Sequence, residues 1–128
     1  MNLTVLNTNA RSLCPKISSF IDCFSDMNAA LGIITETWLA DGADLQDDID
    51  GLALGTGLKL ICKNREVNEI SGLAHGGIAI VFRESMLSLR EVRLHNPGRL
   101  EVMMAAGTIK GSTRKIAVIA CYLSLIHI

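Results

Sequence analysis

The chain has 128 residues, 49% of them hydrophobic and 20% charged, with a net charge of −1 and only 2 prolines. That length holds one domain able to bury roughly two-thirds of its unfolded surface, and aromatics at 4% leave the core to aliphatic side chains. The charge balance offers no basic footprint for nucleic acid, and no apolar run is long enough to span a membrane.

Leu3–Leu6 reads as a short strand beginning almost at residue 1. Asn7-Thr8-Asn9-Ala10-Arg11-Ser12 is polar and reads as a turn or a site loop. If that segment is extended, Asn7 and Asn9 point the same way. Pro15 suits the first position of a helix, where its missing N–H costs nothing. Ile17, Phe20, Ile21, Phe24 and Met27 recur at steps of three and four. They predict an amphipathic helix over Pro15–Ala30 packed on a sheet, with Cys23 as a core thiol at the edge of its apolar face.

Leu31–Thr35 carries Leu, Ile and Ile without polar alternation, which suits a strand covered on both faces. It ends in a carboxylate, Glu36, placed where a sheet rim can offer an acid to a metal. The bland alternative is a solvated strand-end glutamate. Strand, loop, helix, strand and acid make a βαβ-like opening.

Asp41–Asp50 holds five aspartates but lacks the spacing of a calcium loop, so it reads as a solvated acidic loop. Leu58–Lys63 reads as a strand and Asn64–Ala74 as a connection. His75-Gly76-Gly77 reads as a turn or bulge before Ile78–Phe82, the clearest strand of the sequence. Met86–Leu94, Arg99–Ile109 and Lys115–Leu123 read as three more strands. His95–Gly98 is a turn by composition, and Lys110–Arg114 is a hairpin connection. Cys14, Cys23, Cys62 and Cys121 form no C-x-x-C pair, which favours reduced thiols in an intracellular protein. One early helix followed by many strands predicts an α+β fold.

Three phrases line up at this point: Leu6-Asn7-Thr8-Asn9, Thr35-Glu36-Thr37-Trp38-Leu39, and Ala120-Cys121-Tyr122 after an apolar strand. Together they resemble the N-terminal half of the endonuclease/exonuclease/phosphatase superfamily. Asn9-Ala10-Arg11-Ser12-Leu13 and Thr35–Leu39 look like the apurinic-type endonuclease of non-LTR (LINE-like) retrotransposons, as does the Gly-Gly-led strand Gly76–Phe82. The resemblance covers residues 1–123, and the tail 124–128 does not match it.

The resemblance implies a partial two-sheet β-sandwich with a flanking helix and a Mg²⁺ (or Mn²⁺) ion beside the scissile phosphate. By the same resemblance, Glu36 is the metal-binding glutamate, Asn7 supports the metal and phosphate network, and Tyr122 lies near the phosphate. The residue types suit that chemistry. A hard cation wants carboxylate oxygen and keeps several waters, and amide and phenol groups can bond a phosphate without carrying charge.

The family's later Asp-x-Asn pair and closing Asp-His have no counterpart here, and His127 is in the wrong context to replace them. The expectation is therefore a truncated piece of a DNA-nicking hydrolase, inactive alone, with DNA as partner and no membrane. Normal fusion to a reverse transcriptase is implied, as is nuclear residence if the parent element is active. The competing readings are a fragment of another phosphodiesterase or phosphatase of the same fold, and a non-catalytic interaction module in which Asn7 and Glu36 only cap turns.

Overall fold

The computed structural model describes residues 2–37, 56–63, 77–92 and 100–123. Strand β1 (Val5–Asn9) leads through a short 3₁₀ turn (Cys14–Lys16) into helix α1 (Ile17–Asp26) and strand β2 (Leu31–Thr35). Strands β3 (Leu58–Lys63), β4 (Ile78–Arg83), β5 (Leu87–Val92), β6 (Leu100–Ile109) and β7 (Lys115–Leu123) follow. The first sheet has the order β1-β2-β4-β3 and the second β5-β6-β7. β1 and β2 run parallel, with Asn7 opposite Ile33 and Asn9 opposite Thr35, as a βαβ unit requires. All other pairings are antiparallel.

The two faces of the first sheet belong to two apolar clusters. Ile34, Ala79, Val81 and Leu58 pack with Ile17 and Phe24 of α1. Leu31, Ile78, Ile80 and Phe82 pack with Leu87, Met103, Ala105, Val118 and Ala120 of the second sheet. Successive residues of β2 and β4 thus serve opposite faces, which explains runs without polar alternation. The result is three layers: helix, sheet, sheet. It is the α+β sandwich with a flanking helix that the sequence predicts.

Gly32 makes the helix layer possible. A Cβ there would meet Phe20 Cζ at 3.0 Å and Phe24 Cε2 at 3.2 Å. The two phenyl rings instead rest on bare backbone, 5.9 Å apart and tilted by 39°. Burying a side chain like that of Phe24, fully excluded from solvent, stabilises the fold by about 1.5–3 kcal/mol.

Three expectations need correction. Asn7, Thr8 and Asn9 lie inside β1 rather than in a loop. Among the described strands β1 has β2 as its one neighbour, and four of its five residues are exposed, so its sequence carries little apolar pattern. The helix stops at Asp26, not Ala30. Asn28 takes a left-handed conformation (φ 49°), while the N–H groups of Asn28 and Ala29 close back on the carbonyls of Ser25 and Phe24. That pair of bonds is a Schellman ending. It leaves Met27, the capping residue, half exposed. Cys23 is exposed rather than in the core, with its Sγ 4.0 Å from Met27 Sδ. The acidic loop 41–50, the connection 64–74, the turn 95–98, Trp38 and the tail 124–128 lie outside the described residues.

Candidate active site

The parallel ladder of β1 and β2 continues past both strand ends. Ala10 N–H bonds the Thr35 carbonyl, Ser12 N–H the Glu36 carbonyl and Leu13 N–H the Thr37 carbonyl, each at 2.9 Å. Continuing it bends the chain out of ordinary geometry. Arg11, Ser12 and Glu36 all have positive φ, at 45°, 84° and 53°. Non-glycine residues in that region cost roughly 1–3 kcal/mol each and persist where the surroundings over-determine them. Here Lys16 Nζ donates to the Ala10 carbonyl and, at 3.4 Å, to the Arg11 carbonyl, tying the loop to the start of the helix layer.

The kink at Glu36 comes just where β2 ends, so its side chain leaves the strand's alternation. Glu36 Oε1 accepts a hydrogen bond from Tyr122 Oη at 2.6 Å. Tyr122 stands on β7, an edge strand of the second sheet among the described strands. The contact therefore bridges the mouth of the sandwich between its two layers.

Beside it opens a cleft of about 340 Å³. Asn7, Thr8, Asn9, Ile33 and Thr35 line one wall, and Ile119, Ala120, Cys121 and Tyr122 line the other. The walls are one edge strand of each sheet among the described strands, β1 and β7, with part of β2. Asn7 and Asn9 share a wall because they alternate to one side of β1. Of the three residues singled out from the sequence, Tyr122 is the one that meets the surroundings of the other two. Tyr122 and Glu36 touch, and Asn7 faces the same cleft as Tyr122.

Sequence reasoning missed Glu101 on β6. It is 8% exposed and its Oε2 accepts the Gly77 N–H at 3.0 Å. The available signal was the period of two, which places Glu101 on the inward face with Met103 and Ala105. Gly77 has φ 89°, a conformation that favours glycine.

Among the described residues, no three His, Cys, Asp or Glu side chains gather as a metal cage. The donor set available, the Glu36 carboxylate with the Asn7 and Asn9 amides that line the cleft, is one of hard oxygens. It fits an ion that keeps most of its waters, as Mg²⁺ does, and not a transition metal seeking nitrogen or sulfur.

The strand order, the sandwich and the helix on the β1-β2-β4-β3 face define the endonuclease/exonuclease/phosphatase fold. Solved structures with this architecture include an endonuclease/exonuclease/phosphatase family protein from Leptotrichia buccalis (TM-score 0.64, 13% identity, 97% of this chain and 55% of that one). They also include the 3′ phosphatase NExo from Neisseria bound to a product DNA hairpin (TM-score 0.60, 16% identity, 92% of this chain and 40% of that one). The 3′-5′ exonuclease NExo from Neisseria meningitidis is similar as well (TM-score 0.52, 18% identity, 90% and 39%). The chain therefore spans between 39% and 55% of the length of these proteins. No family model matches the sequence, and no curated protein matches it.

Proposed function

We propose that this chain is the N-terminal part of a Mg²⁺-dependent phosphodiesterase that nicks DNA, of the kind carried by non-LTR retrotransposons, and that it is inactive alone. The observation that carries the reading is the 2.6 Å bond between Tyr122 and Glu36 at the sandwich mouth, beside the cleft that Asn7 lines. In this reading Glu36 would hold the ion through its carboxylate, and the Asn7 amide would bond a phosphate oxygen. Bound there, the ion would offset the charge gathering on the phosphoryl oxygens as a P–O bond breaks. Tyr122 directs its proton at Glu36 and fixes that carboxylate's orientation. Two neighbours of this fold are named as acting on nucleic-acid ends, one with a product DNA hairpin bound, which supports DNA as the partner. The phrases Asn9–Leu13 and Thr35–Leu39 favour the retrotransposon parent.

A second reading, a fragment of a phosphatase or exonuclease of the same fold, draws on those same two neighbours. Calorimetric titration with Mn²⁺ tests the ion site: wild-type protein binds and Glu36→Gln does not. Equal binding by both would remove Glu36 from its role. Incubation with supercoiled plasmid and Mg²⁺ tests inactivity. Robust nicking that EDTA stops and Glu36→Ala abolishes would show that the chain suffices alone.

A further inference from the structure

Among the described residues Glu101 is the one charged side chain that is buried. A carboxylate in that position needs a reason, since burial penalises its charge unless hydrogen bonds compensate. Its surroundings supply one. Glu101 stands directly opposite Tyr122 in the β6–β7 ladder. Residues opposed in this way project to the same face of a sheet. From that single rung two arms reach the same short segment. Tyr122 bonds the Glu36 side chain at 2.6 Å. Glu101 bonds the Gly77 N–H at 3.0 Å, and the Gly77 carbonyl accepts the N–H of Thr37, the next residue after Glu36, at 3.4 Å. One arm holds the side chain and the other holds the main chain just beyond it. Between them sits a residue with φ 53°, a conformation that its own sequence does not favour.

We propose that Glu101 is a positioning residue for Glu36: its carboxylate moors Gly77, Gly77 moors Thr37, and the kinked backbone is thereby set beneath the Tyr122 phenol. The consequence for ion binding rests on the function proposed above; the mooring itself does not. Glu101 touches neither substrate nor ion in this scheme. It acts on the angle at which Glu36 presents its carboxylate, as partners behind metal ligands commonly do.

The chain contains one tyrosine and one tryptophan, Trp38, so with every protein carrying Trp38→Phe the near-ultraviolet tyrosine band reports on Tyr122 alone. A phenol donating to a carboxylate absorbs to the red of one that does not. The experiment compares this band, and Mn²⁺ affinity by calorimetry, in the full chain and four variants. Glu36→Gln fixes the position of the band without the carboxylate. Glu101→Ala removes the mooring, with Glu101→Met in its place should the alanine variant fail to fold. Glu101→Gln keeps an oxygen for Gly77. Met103→Ala, two residues along β6 and 2% exposed, is a packing defect in the same strand.

The expected result is that Glu101→Ala moves the band to the Glu36→Gln position and weakens Mn²⁺ about tenfold or more. Glu101→Gln and Met103→Ala keep the wild-type band. If the band of Glu101→Ala (or →Met) stays at the wild-type position, or if Met103→Ala shifts it equally, the mooring is disproved. If wild-type protein binds no Mn²⁺ while Glu101→Ala still shifts the band, the mooring stands and the ion-binding role of Glu36 fails.

Discussion

Arg83 lies over Phe24, its guanidinium carbon 5.4 Å from the ring centroid, while its Nε donates to the Ala29 carbonyl at 3.0 Å and its Nη2 to the Phe24 carbonyl at 3.4 Å. The last residue of β4 thus closes the C-terminal end of α1, where carbonyls lack partners and the helix dipole favours a cation. Arg83→Met keeps much of the stem packing and removes the donors and the charge. The expected loss is about 1–2 kcal/mol. Urea denaturation followed by far-ultraviolet circular dichroism measures it, and a loss below the error of the method would show that Arg83 only decorates the helix end.

Tyr122→Phe deletes the hydroxyl that holds Glu36 and leaves the ring in place. The contact is part-buried, so the expected cost is modest, about 1 kcal/mol. On the proposed function, Mn²⁺ affinity falls with it, because the carboxylate is no longer oriented. Denaturation and calorimetry on the same preparation separate the two effects. Unchanged affinity alongside reduced stability would confine Tyr122 to a structural role.

Thr37 is 1% exposed, and among the described residues its Oγ1 has no hydrogen-bond partner. Thr37→Val keeps the branched shape and removes the burial cost of the hydroxyl. Stability should rise by about 1 kcal/mol. A fall in melting temperature instead would mean that this hydroxyl has a partner the rest of the chain provides.

Asn28 ends α1 in the left-handed region. Asn28→Gly should be neutral or slightly stabilising, while Asn28→Val should cost about 1–2 kcal/mol, because a branched side chain is poorly tolerated there. If the valine variant melted with the wild type, the left-handed helix ending would be wrong.

β1 and β7 each have one neighbour among the described strands, and Val5 and Ile119 on them are 50% and 59% exposed. Unpaired edges carrying apolar side chains invite association. Val5→Lys with Ile119→Lys should leave stability within about 0.5 kcal/mol and reduce the associated fraction in sedimentation velocity. No change in that fraction would show that association, if any, runs through another surface.

Much of this fold is readable wherever a segment is buried on two sides. Leu31–Thr35 and Ile78–Arg83 lie between the helix layer and the second sheet, so their composition declares the strand outright. The second half of β1 reads as a turn because a strand bordering the cleft has little to bury there, and its asparagines look like turn residues. The helix end was misjudged because Ala29 and Ala30 suit a helix as well as they suit the core they enter, while the ending depends on the backbone of one residue, Asn28. At the site, Glu36, Asn7 and Tyr122 were marked by their phrases. Glu101 was not, because a charged residue in a strand is ordinarily read as facing water; here the Gly77 N–H, just before β4, meets its buried carboxylate.

The bond between Tyr122 and Glu36 joins residues 86 apart in sequence. The last described strand of the first sheet ends at Arg83, so its four described strands are synthesised before β6 and β7. Contacts this distant come late in folding, since the intervening chain must first be ordered. The carboxylate at the mouth of the sandwich is therefore made early and oriented last, and any delay in forming the second sheet leaves it in water with nothing to aim it.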